Sequence, residues 1–402
     1  MTLPGRAIAG IDPRTLRRVN TSVTLRALAV ATEPLRLSAL ASATGLSRRT
    51  IELILDELVA AGWVDELDRL PPTGSAGRPA RRFELHAEHA LIAAVRVTTF
   101  EASAVVADVR GRIIGRANRP LRDYAAPTTA LDDVASLVRE ALDAAGASVE
   151  RLVAGGIASG GAIDDDGVVR RLIHTTRWTG VRLPDELSAR IPVPWFADND
   201  ANLAALAERW RGAARDHEDV IWAILGARTG IGTLIRGTVH RGFQGAAGEI
   251  VEAASLPAAA FDEHPIGDLT SPIEADRHRA LGIIALAREG DADAIALVDD
   301  FAEHIATILV TLSWTVAPSL FVLGGGIEDA ADVLIPRIEA SLQRARNPDI
   351  ALRATAIGAD APLVGALRFA LDRMDVALFG PLLDVRDRGA ASVIPLHPEE
   401  HP

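Results

Sequence analysis

Residues 198–208 read DNDANLAALAE, which places an Asn-Asp pair at the mouth of a predicted alanine-rich helix over residues 200–213. An Asp beside an Asn on a turn at the start of a helix can hold a sugar hydroxyl and take its proton. The same pair can also bind a hydroxyl without any chemistry. Other motifs in the sequence are needed to distinguish a catalytic site from a binding site.

Strand-like segments alternate with helical stretches such as 131–145, which predicts an α/β fold with a mainly parallel core. The uncharged stretch 305–327 is split by Pro318 and indicates a buried helix followed by a strand, not a membrane span. The five strand-like segments are ALIAAVRV (90–97), SAVVADV (103–109), RLVAGGIAS (151–159), DVIWAILG (219–226) and SLFVLGGG (319–326).

Length and composition indicate two or three domains in a cytoplasmic protein. The chain has 402 residues, no Cys and no signal-peptide-like apolar region at its N-terminus. Disulfides and Cys-based zinc sites are therefore excluded. The formal net charge is −12, yet residues 1–55 hold eight Arg against three acidic residues. A basic head on an acidic body is typical of a small polyanion-binding module joined to a body with another task.

Residues 35–67 predict two helices separated by a tight turn at Thr44-Gly45, with Ser47 as the N-cap of the second helix. Another helix is predicted over 13–30. The helix over 13–30 and the second helix of residues 35–67 each carry a stripe of apolar residues for packing. The stripes are Leu16, Val19, Val23, Leu25 and Leu28 in the first helix, and Ile51, Ile54, Leu55, Leu58 and Val59 in the last.

Helix, turn and capped second helix form the helix-turn-helix pattern, whose second helix enters a DNA major groove with its N-terminus first. The following Gly/Pro/Ser-rich loop, residues 69–86, is basic and leads into an alternating strand, which is typical of a winged helix. A plain helical hairpin and a solvated loop are the alternatives. The predicted DNA contacts are Ser47, Arg48, Arg49 and Thr50 in the helix, and Arg78, Pro79 and Arg81 in the wing.

The head resembles the winged-helix domain of ROK-family transcriptional regulators, and the body agrees with that family along its length. The resemblance implies an actin-like, ATPase-type body of two α/β lobes around a sugar cleft, which acts as a sugar kinase in some members and as a sugar sensor in others. The motifs that carry it are GLSRRTIELILDELVAAGWVDE, GRPARRFEL, GGAIDDDG (160–167), DNDANLAALAE, GARTGIGTLIRGTVHRGFQGAAGEI (226–250), PSLFVLGGGI and GADAPLVGAL (358–367).

The family's first phosphate turn reads Asp-x-Gly-x-Thr, and the alignment puts Arg96, Thr98 and Phe100 at those three positions. The acid that organises the metal, the glycine and the hydroxyl are all replaced. No cofactor and no phosphoryl transfer are therefore expected. The glycine-rich stretches 226–232 and 323–327 are either nucleotide loops or turns that the fold itself requires.

The sugar side of the family site is partly kept. Asn199 and Asp200 match the sugar-binding pair, with Asp200 at the position of the kinase base, and Gly161 and Glu249 match two further family positions. His174 and Glu252 replace an Asn and a His of the family pattern. The structural zinc of the family has no Cys ligands here, so no metal site is expected, and His264 is expected in a solvated loop.

The sequence thus predicts a winged helix-turn-helix domain over 1–88, a ROK body over 89–380 and a tail over 381–402. The predicted function is a sugar- or sugar-derivative-responsive DNA-binding regulator, most simply a repressor of carbohydrate genes. Its predicted partners are double-stranded operator DNA, a small sugar or sugar derivative, and further copies of the chain in a homodimer or higher homo-oligomer, with no membrane. The alternatives are a sugar kinase with a DNA-binding head and a ligand-independent regulator whose body only dimerises.

Overall fold

The computed structural model describes residues 12–67, 81–172, 175–250, 261, 263–345 and 351–379. Contacts within the chain divide it into two compact units. One comprises Met1–His89 and Arg373–Pro402, and the other comprises Ala90–Asp372. Among the described residues, no helix is long and apolar enough to cross a membrane.

The first unit combines three helices with a small antiparallel sheet of order β1-β3-β2. Gly45 is the C-cap of helix α2. Its φ of 71° is left-handed, a conformation that glycine adopts readily because it has no Cβ, and its N–H donates to the Ala41 carbonyl. Ser47 caps α3 as predicted. The elements are α1 (Pro13–Val30), β1 (Leu35–Arg36), α2 (Leu37–Thr44), α3 (Arg48–Ala60), β2 (Val64–Leu67) and β3 (Arg82–Leu85).

The predicted apolar stripe is confirmed for α3 but is partly wrong for α1. Four of the five α3 residues are buried, and Val59 is half-buried. On α1, however, Leu16 is 48% and Val23 is 38% exposed. The helix instead buries Ser22 and Thr24 beside Leu25 and Leu28. Thr24 can be buried because its hydroxyl donates to a carbonyl of its own helix. The face that the helix buries is therefore set partly by such internal hydrogen bonds, and it is not the most apolar face.

The first sheet of the second unit has the order β10-β7-β4-β5-β6. The pairs β10–β7 and β7–β4 are parallel, whereas β4–β5 and β5–β6 are antiparallel hairpins. Helix α4 packs on this sheet. The elements are β4 (Leu91–Val97), β5 (Glu101–Asp108), β6 (Ile113–Pro120), α4 (Pro127–Ala144), β7 (Leu152–Ser159), the short pair β8 (Ala162–Ile163) and β9 (Val169–Arg171), α5 (Leu183–Ser188) and β10 (Trp195–Asn199).

The second sheet has the order β13-β12-β11-β14-β15, again with two parallel and two antiparallel pairings. Helix α6 packs against strands of both sheets. The elements are α6 (Asp200–Arg211), β11 (Val220–Ile224), β12 (Gly230–Ile235), β13 (Thr238–Val239), α7 (Glu274–Glu289), α8 (Ala292–Val316), β14 (Leu320–Leu323), α9 (Ala331–Arg344), β15 (Ala351–Ala354) and α10 (Ala361–Phe379).

All five predicted strands are present, and the stretch 305–327 holds the end of α8 followed by β14, as expected. The expectation of a mainly parallel core is wrong, because half of the pairings in each large sheet are antiparallel. The reason is local: β4, β5 and β6 follow one another through short turns, and a short turn can only join antiparallel neighbours.

Candidate functional site

A cleft of about 890 Å³ lies in the second unit. The parallel strands β4, β7 and β10 end at the same edge of their sheet, so the residues that follow them meet there. Loops from the second sheet supply the rest of the lining. The lining includes Arg96–Glu101, Tyr124, Gly160, Gly161, Leu172, Asn199, Asp200, Ala227–Ile231, Gly248–Ile250, Pro272, Arg277, Gly325, Gly326, Glu328, Asp329 and Ala359.

The Asn-Asp pair lies at the junction of β10 and α6. The Asn199 carboxamide oxygen accepts the backbone N–H groups of Ala201 and Asn202 at 2.9 and 3.2 Å, and its Nδ2 donates to the Gly161 carbonyl at 3.0 Å. Asn199 is therefore the N-cap of α6, with one N–H left for a ligand. Asp200 lines the cleft with no hydrogen bond or ion pair from any described residue. Its carboxylate is free to accept a hydroxyl.

A buried ion pair that the sequence reading missed supports this junction. Asp198 is fully buried, and its Oδ2 accepts Nε and Nη2 of Arg241 at 2.9 and 2.5 Å. Its Oδ1 accepts the Asn199 N–H at 2.8 Å and Nδ2 of Asn202 at 3.1 Å. The pair fixes the turn from which Asp200 projects. The run Asp-Asn-Asp at a strand end was the available signal, since three consecutive polar residues there need partners.

Glu249 lines the same cleft, and the charge of Asp200 acts on its pKa. Burial and, after it, the negative charge of Asp200 raise the pKa of the Glu249 carboxyl to about 7, while Arg171 acts in the opposite direction. Near neutral pH this carboxyl therefore exchanges a proton readily. It can accept a hydroxyl when ionised and donate to an oxygen when protonated.

Tyr124, the one tyrosine of the chain, completes this end of the cleft and was missed from the sequence. Its ring stacks on Trp178 at 5.1 Å, and its carbonyl accepts the Trp178 indole N–H at 2.8 Å. Burial, aided by the charge of Asp200, raises the pKa of the Tyr124 phenol. The stack gives the cleft a rigid wall with a polar tip.

Gly161 lines the cleft, as its prediction as a ligand contact requires, but packing also demands a glycine there. Its φ is 85°, and an added Cβ would lie 2.3 Å from the Arg171 carbonyl oxygen. His174 and Glu252 lie outside the described residues. Of the predicted sugar-site residues, the cleft therefore brings together Gly161, Asn199, Asp200 and Glu249.

The hairpin between β4 and β5 carries Thr98 and Phe100, which the sequence alignment set against a phosphate turn. The Thr98 hydroxyl accepts the backbone N–H groups of Phe100 and Glu101 at 3.3 and 3.1 Å, and donates to the Glu101 carbonyl at 2.9 Å. Phe100 is 54% exposed at the tip. Backbone donors that a phosphate turn would offer are therefore satisfied by this hairpin itself.

The two glycine-rich stretches also meet in this cleft. Arg228 donates through Nε to the Thr270 carbonyl at 2.6 Å and through Nη2 to the Gly325 carbonyl at 3.4 Å, which joins one stretch to the other. The Gly326 N–H donates to the Glu328 carboxylate at 2.7 Å. A carboxylate thus holds a backbone donor that a nucleotide phosphate would need.

The expectation of a solvated His264 is wrong. Its side chain is 8% exposed and its ring lies 5.0 Å from Phe301, with Nε2 3.4 Å from Asp300. Burial lowers the pKa of His264. Aromatic neighbours from α8 cover this loop, and a contact so far apart along the chain cannot be read from one sequence. The described residues contain no cluster of three or more His, Cys, Asp or Glu that could hold a metal ion.

In the first unit, the predicted DNA contacts on α3 form one solvent-facing turn. Ser47 Oγ accepts the Thr50 N–H at 3.1 Å and lies 2.8 Å from its hydroxyl. Arg48 and Arg49 are exposed, and Arg49 pairs with Glu52 at 3.2 Å. Two guanidinium groups thus project from the N-terminal turn of a helix.

Arg81, predicted as a DNA contact in the wing, is held by carboxylates of its own unit. It donates to Glu66 at 2.7 and 2.8 Å and to Asp56 at 3.1 Å, and these carboxylates raise its pKa. The guanidinium also lies over the Phe83 ring at 5.0 Å. Arg81 therefore ties α3 to the strands. Arg78 and Pro79 lie outside the described residues.

Three comparisons place the chain among known proteins. It is 21% identical over 372 residues to the xylose repressor of Bacillus spizizenii, covering 88% of this chain and 95% of that protein. It is 26% identical over 249 residues to a glucokinase of Halalkalibacterium halodurans, covering 53% and 74%. A solved ROK family transcriptional regulator, a homologue of the Escherichia coli MLC protein, superposes with a TM-score of 0.71 at 18% identity over 92% of this chain and 98% of that one.

The model of the ROK family matches residues 93–251 and 270–373, well over half of the chain. The matched residues carry both five-stranded sheets and the cleft between their loops. The expected sugar-kinase-like body, with its actin-like fold, is confirmed. The chain belongs to the ROK family.

Proposed function

We propose that the chain is a DNA-binding transcriptional regulator, acting as a repressor of carbohydrate genes, whose body senses a sugar or sugar derivative and transfers no phosphoryl group. The observation that carries this proposal is the first turn of α3. It is capped by Ser47, follows a tight turn after α2, and exposes Arg48 and Arg49. An exposed basic N-terminal turn suits a recognition helix that enters a major groove.

The order of elements supports a winged helix-turn-helix head. After α2, turn and α3, the chain continues into the antiparallel strands β2 and β3, which would flank the wing. The alignment with the xylose repressor covers 88% of this chain, whereas Ala90–Asp372 holds only 283 of its 402 residues. The likeness to a repressor therefore extends beyond the body.

The cleft favours sensing over catalysis. Asp200 stands where a kinase base would, but Thr98 and Glu328 already hold backbone donors that ATP phosphates would use. Arg96 replaces the acid that would organise Mg²⁺. Asp200, Asn199 and Glu249 are then hydrogen-bonding groups for hydroxyls, and binding there would favour one arrangement of the lobes.

A homodimer would present two heads to a palindromic operator, with half-sites one helical turn or a multiple apart. The test is titration of the full chain with DNA from its own upstream region at several salt concentrations. Arg48→Gln should weaken binding at least tenfold and flatten the salt dependence, because a positive contact is lost. Arg344→Gln, an exposed arginine on α9, is the matched control. Equal affinities of wild type and R48Q would refute the proposed helix contact.

The second candidate is a sugar kinase with a DNA-binding head, favoured by the unpartnered carboxylate of Asp200 in the cleft. Incubation of the full chain with ATP, Mg²⁺ and a panel of hexoses should give no ADP above the rate without protein. Turnover that Asp200→Asn abolishes would establish the kinase. Saturable DNA binding that no sugar changes would instead indicate a body that only dimerises.

A further inference from the structure

The cleft lining carries both acidic and basic side chains. The acidic ones include the carboxylates of Asp200 and Glu249. The basic ones are three arginines, Arg96, Arg228 and Arg277, from three separate parts of the body. A neutral sugar needs only the first kind of group, so the arginines require their own explanation.

None of the three guanidinium groups has a carboxylate within ion-pair distance among the residues that the structure describes. Their hydrogen bonds go to backbone carbonyls instead. Arg277 donates to Ser271 at 2.6 Å, Arg228 to Thr270 at 2.6 Å, and Arg96 to Ala359 at 3.5 Å. The Nε of Arg96 is buried and has no hydrogen-bond partner. Arg241, by contrast, pairs with the carboxylate of Asp198.

These charges are close enough to repel one another. Burial, together with the positive charges of Arg96 and Arg277, lowers the pKa of Arg228 to about 10, while the carboxylates of Asp200 and Glu328 act in the opposite direction. An oxyanion would stabilise partly buried guanidinium groups that have no carboxylate at ion-pair distance among the described residues. Asp200, Glu249 and the three arginines line one cleft, and Asp200 interacts with both Glu249 and Arg228, so one small molecule can contact carboxylates and guanidinium groups together.

We propose that the ligand of this cleft is a monosaccharide that carries an oxyanion, a phosphate or a carboxylate, with its hydroxyls on Asp200 and Glu249 and its anionic group on Arg96 and Arg228. This inference rests on the proposed sensor function and specifies the ligand class. Arg96 then has a role of its own. It stands where the alignment has the acid that organises the metal in kinases, and it would contact the anionic group of the ligand. A nucleotide is disfavoured as the source of the anion, because Glu328 lies against the Gly326 turn.

The test is calorimetric titration of the full chain, without DNA, with glucose, mannose, their 6-phosphates, glucuronate, inorganic phosphate and ATP. At least one charged sugar should bind ten or more times as tightly as its neutral counterpart. Its affinity should fall as salt increases, whereas that of the neutral sugar should not. The phosphorylated sugars and glucuronate distinguish a phosphate from a carboxylate.

Variants separate a charge contact from a structural role. Arg96→Gln and Arg228→Gln should each lower the affinity for the charged sugar about tenfold and leave that for the neutral sugar within about twofold, and Arg96→Lys should restore part of the loss. Arg344→Gln should change neither affinity. Arg228→Gln also removes bonds between two loops, so Arg96→Gln is the decisive variant.

The proposal is overturned if neutral sugars bind as tightly as charged ones, if no charged sugar gives saturable binding, or if R96Q lowers both affinities alike. Binding of ATP or inorganic phosphate at the affinity of the best sugar would also overturn it. Since these titrations use no DNA, their failure is distinct from failure of the regulator proposal, which rests on R48Q and the operator.

Discussion

At the scale of single residues, the sequence located polar residues that line the cleft but not the contacts that hold them in place. Asn199, Asp200 and Glu249 line the cleft, as motif matching predicted. Asp198 and Tyr124 were missed, because their roles depend on partners far along the chain, Arg241 and Trp178. A single sequence shows which residues are polar, but not which distant groups satisfy them.

Glu249 gives the first prediction at this scale. Its pKa rises from 4.5 to about 7 on folding, so the folded state binds the proton more tightly than the unfolded state does. The free energy of unfolding therefore decreases as pH rises between these values. Glu249→Gln removes that dependence. Relative to the wild type, E249Q should gain stability from pH 4.5 to pH 7 by about 2 kcal/mol or less, and the difference should then level off.

Denaturant melts of wild type, E249Q and the exposed-surface control Glu339→Gln at several pH values measure this effect. E339Q should follow the wild type throughout. A constant difference between E249Q and wild type across the range would show that Glu249 is not shifted by folding.

At the scale of elements, the apolar pattern predicted five strands of the second unit and missed others, such as β6, β10 and β12. Strand β10 was not predicted because the polar run Asp198–Asp200 covers its end and the start of α6. The side chains of Asp198 and Asn199 accept backbone N–H groups at this junction. The α1 face was misjudged because hydroxyl side chains are buried at Ser22 and Thr24. Both failures come from polar groups whose hydrogen bonds are made within the fold.

The glycine-rich stretch 226–232 illustrates the same lesson and supplies the second prediction. Gly232 lies in β12, where an added Cβ would be 2.0 Å from the Ala201 carbonyl of α6. Gly232→Ala should therefore destabilise the body by roughly 2 kcal/mol or more, since strand and helix must separate. Gly282, inside α7, has open space around it, so Gly282→Ala should stabilise the chain by about 0.5–1 kcal/mol. Thermal or denaturant unfolding compares the two substitutions directly.

The stability of G232A bears on function as well as on packing. If Gly232 is required by close packing of helix on strand, G232A lowers stability whether or not any ligand is present. Wild-type stability in G232A together with an altered ligand affinity would instead assign this glycine to the ligand. The sequence alone left both interpretations open.

At the scale of the whole molecule, the chain combines two units whose tasks the proposals keep separate: DNA contact in the head and ligand contact in the body. Family membership is established over residues 93–251 and 270–373, but membership does not distinguish regulator from kinase. That distinction depends on a few side chains, Thr98, Arg96 and Glu328 in the cleft and Arg48 in the head.

The last prediction tests whether the two tasks are coupled. A ligand can shift DNA affinity only by its differential affinity for the two states of the protein. Asp200→Asn should therefore bind operator DNA like the wild type and yet lose the response to the sugar, because it lacks the free carboxylate of the cleft. Arg48→Gln should show the opposite, normal sugar binding with weakened DNA binding. Fluorescence anisotropy of labelled operator, with and without sugar, together with calorimetry, measures all four quantities. If D200N and R48Q each disturbed both activities equally, head and body would act as one structural unit, and the assignment of separate sites would be wrong.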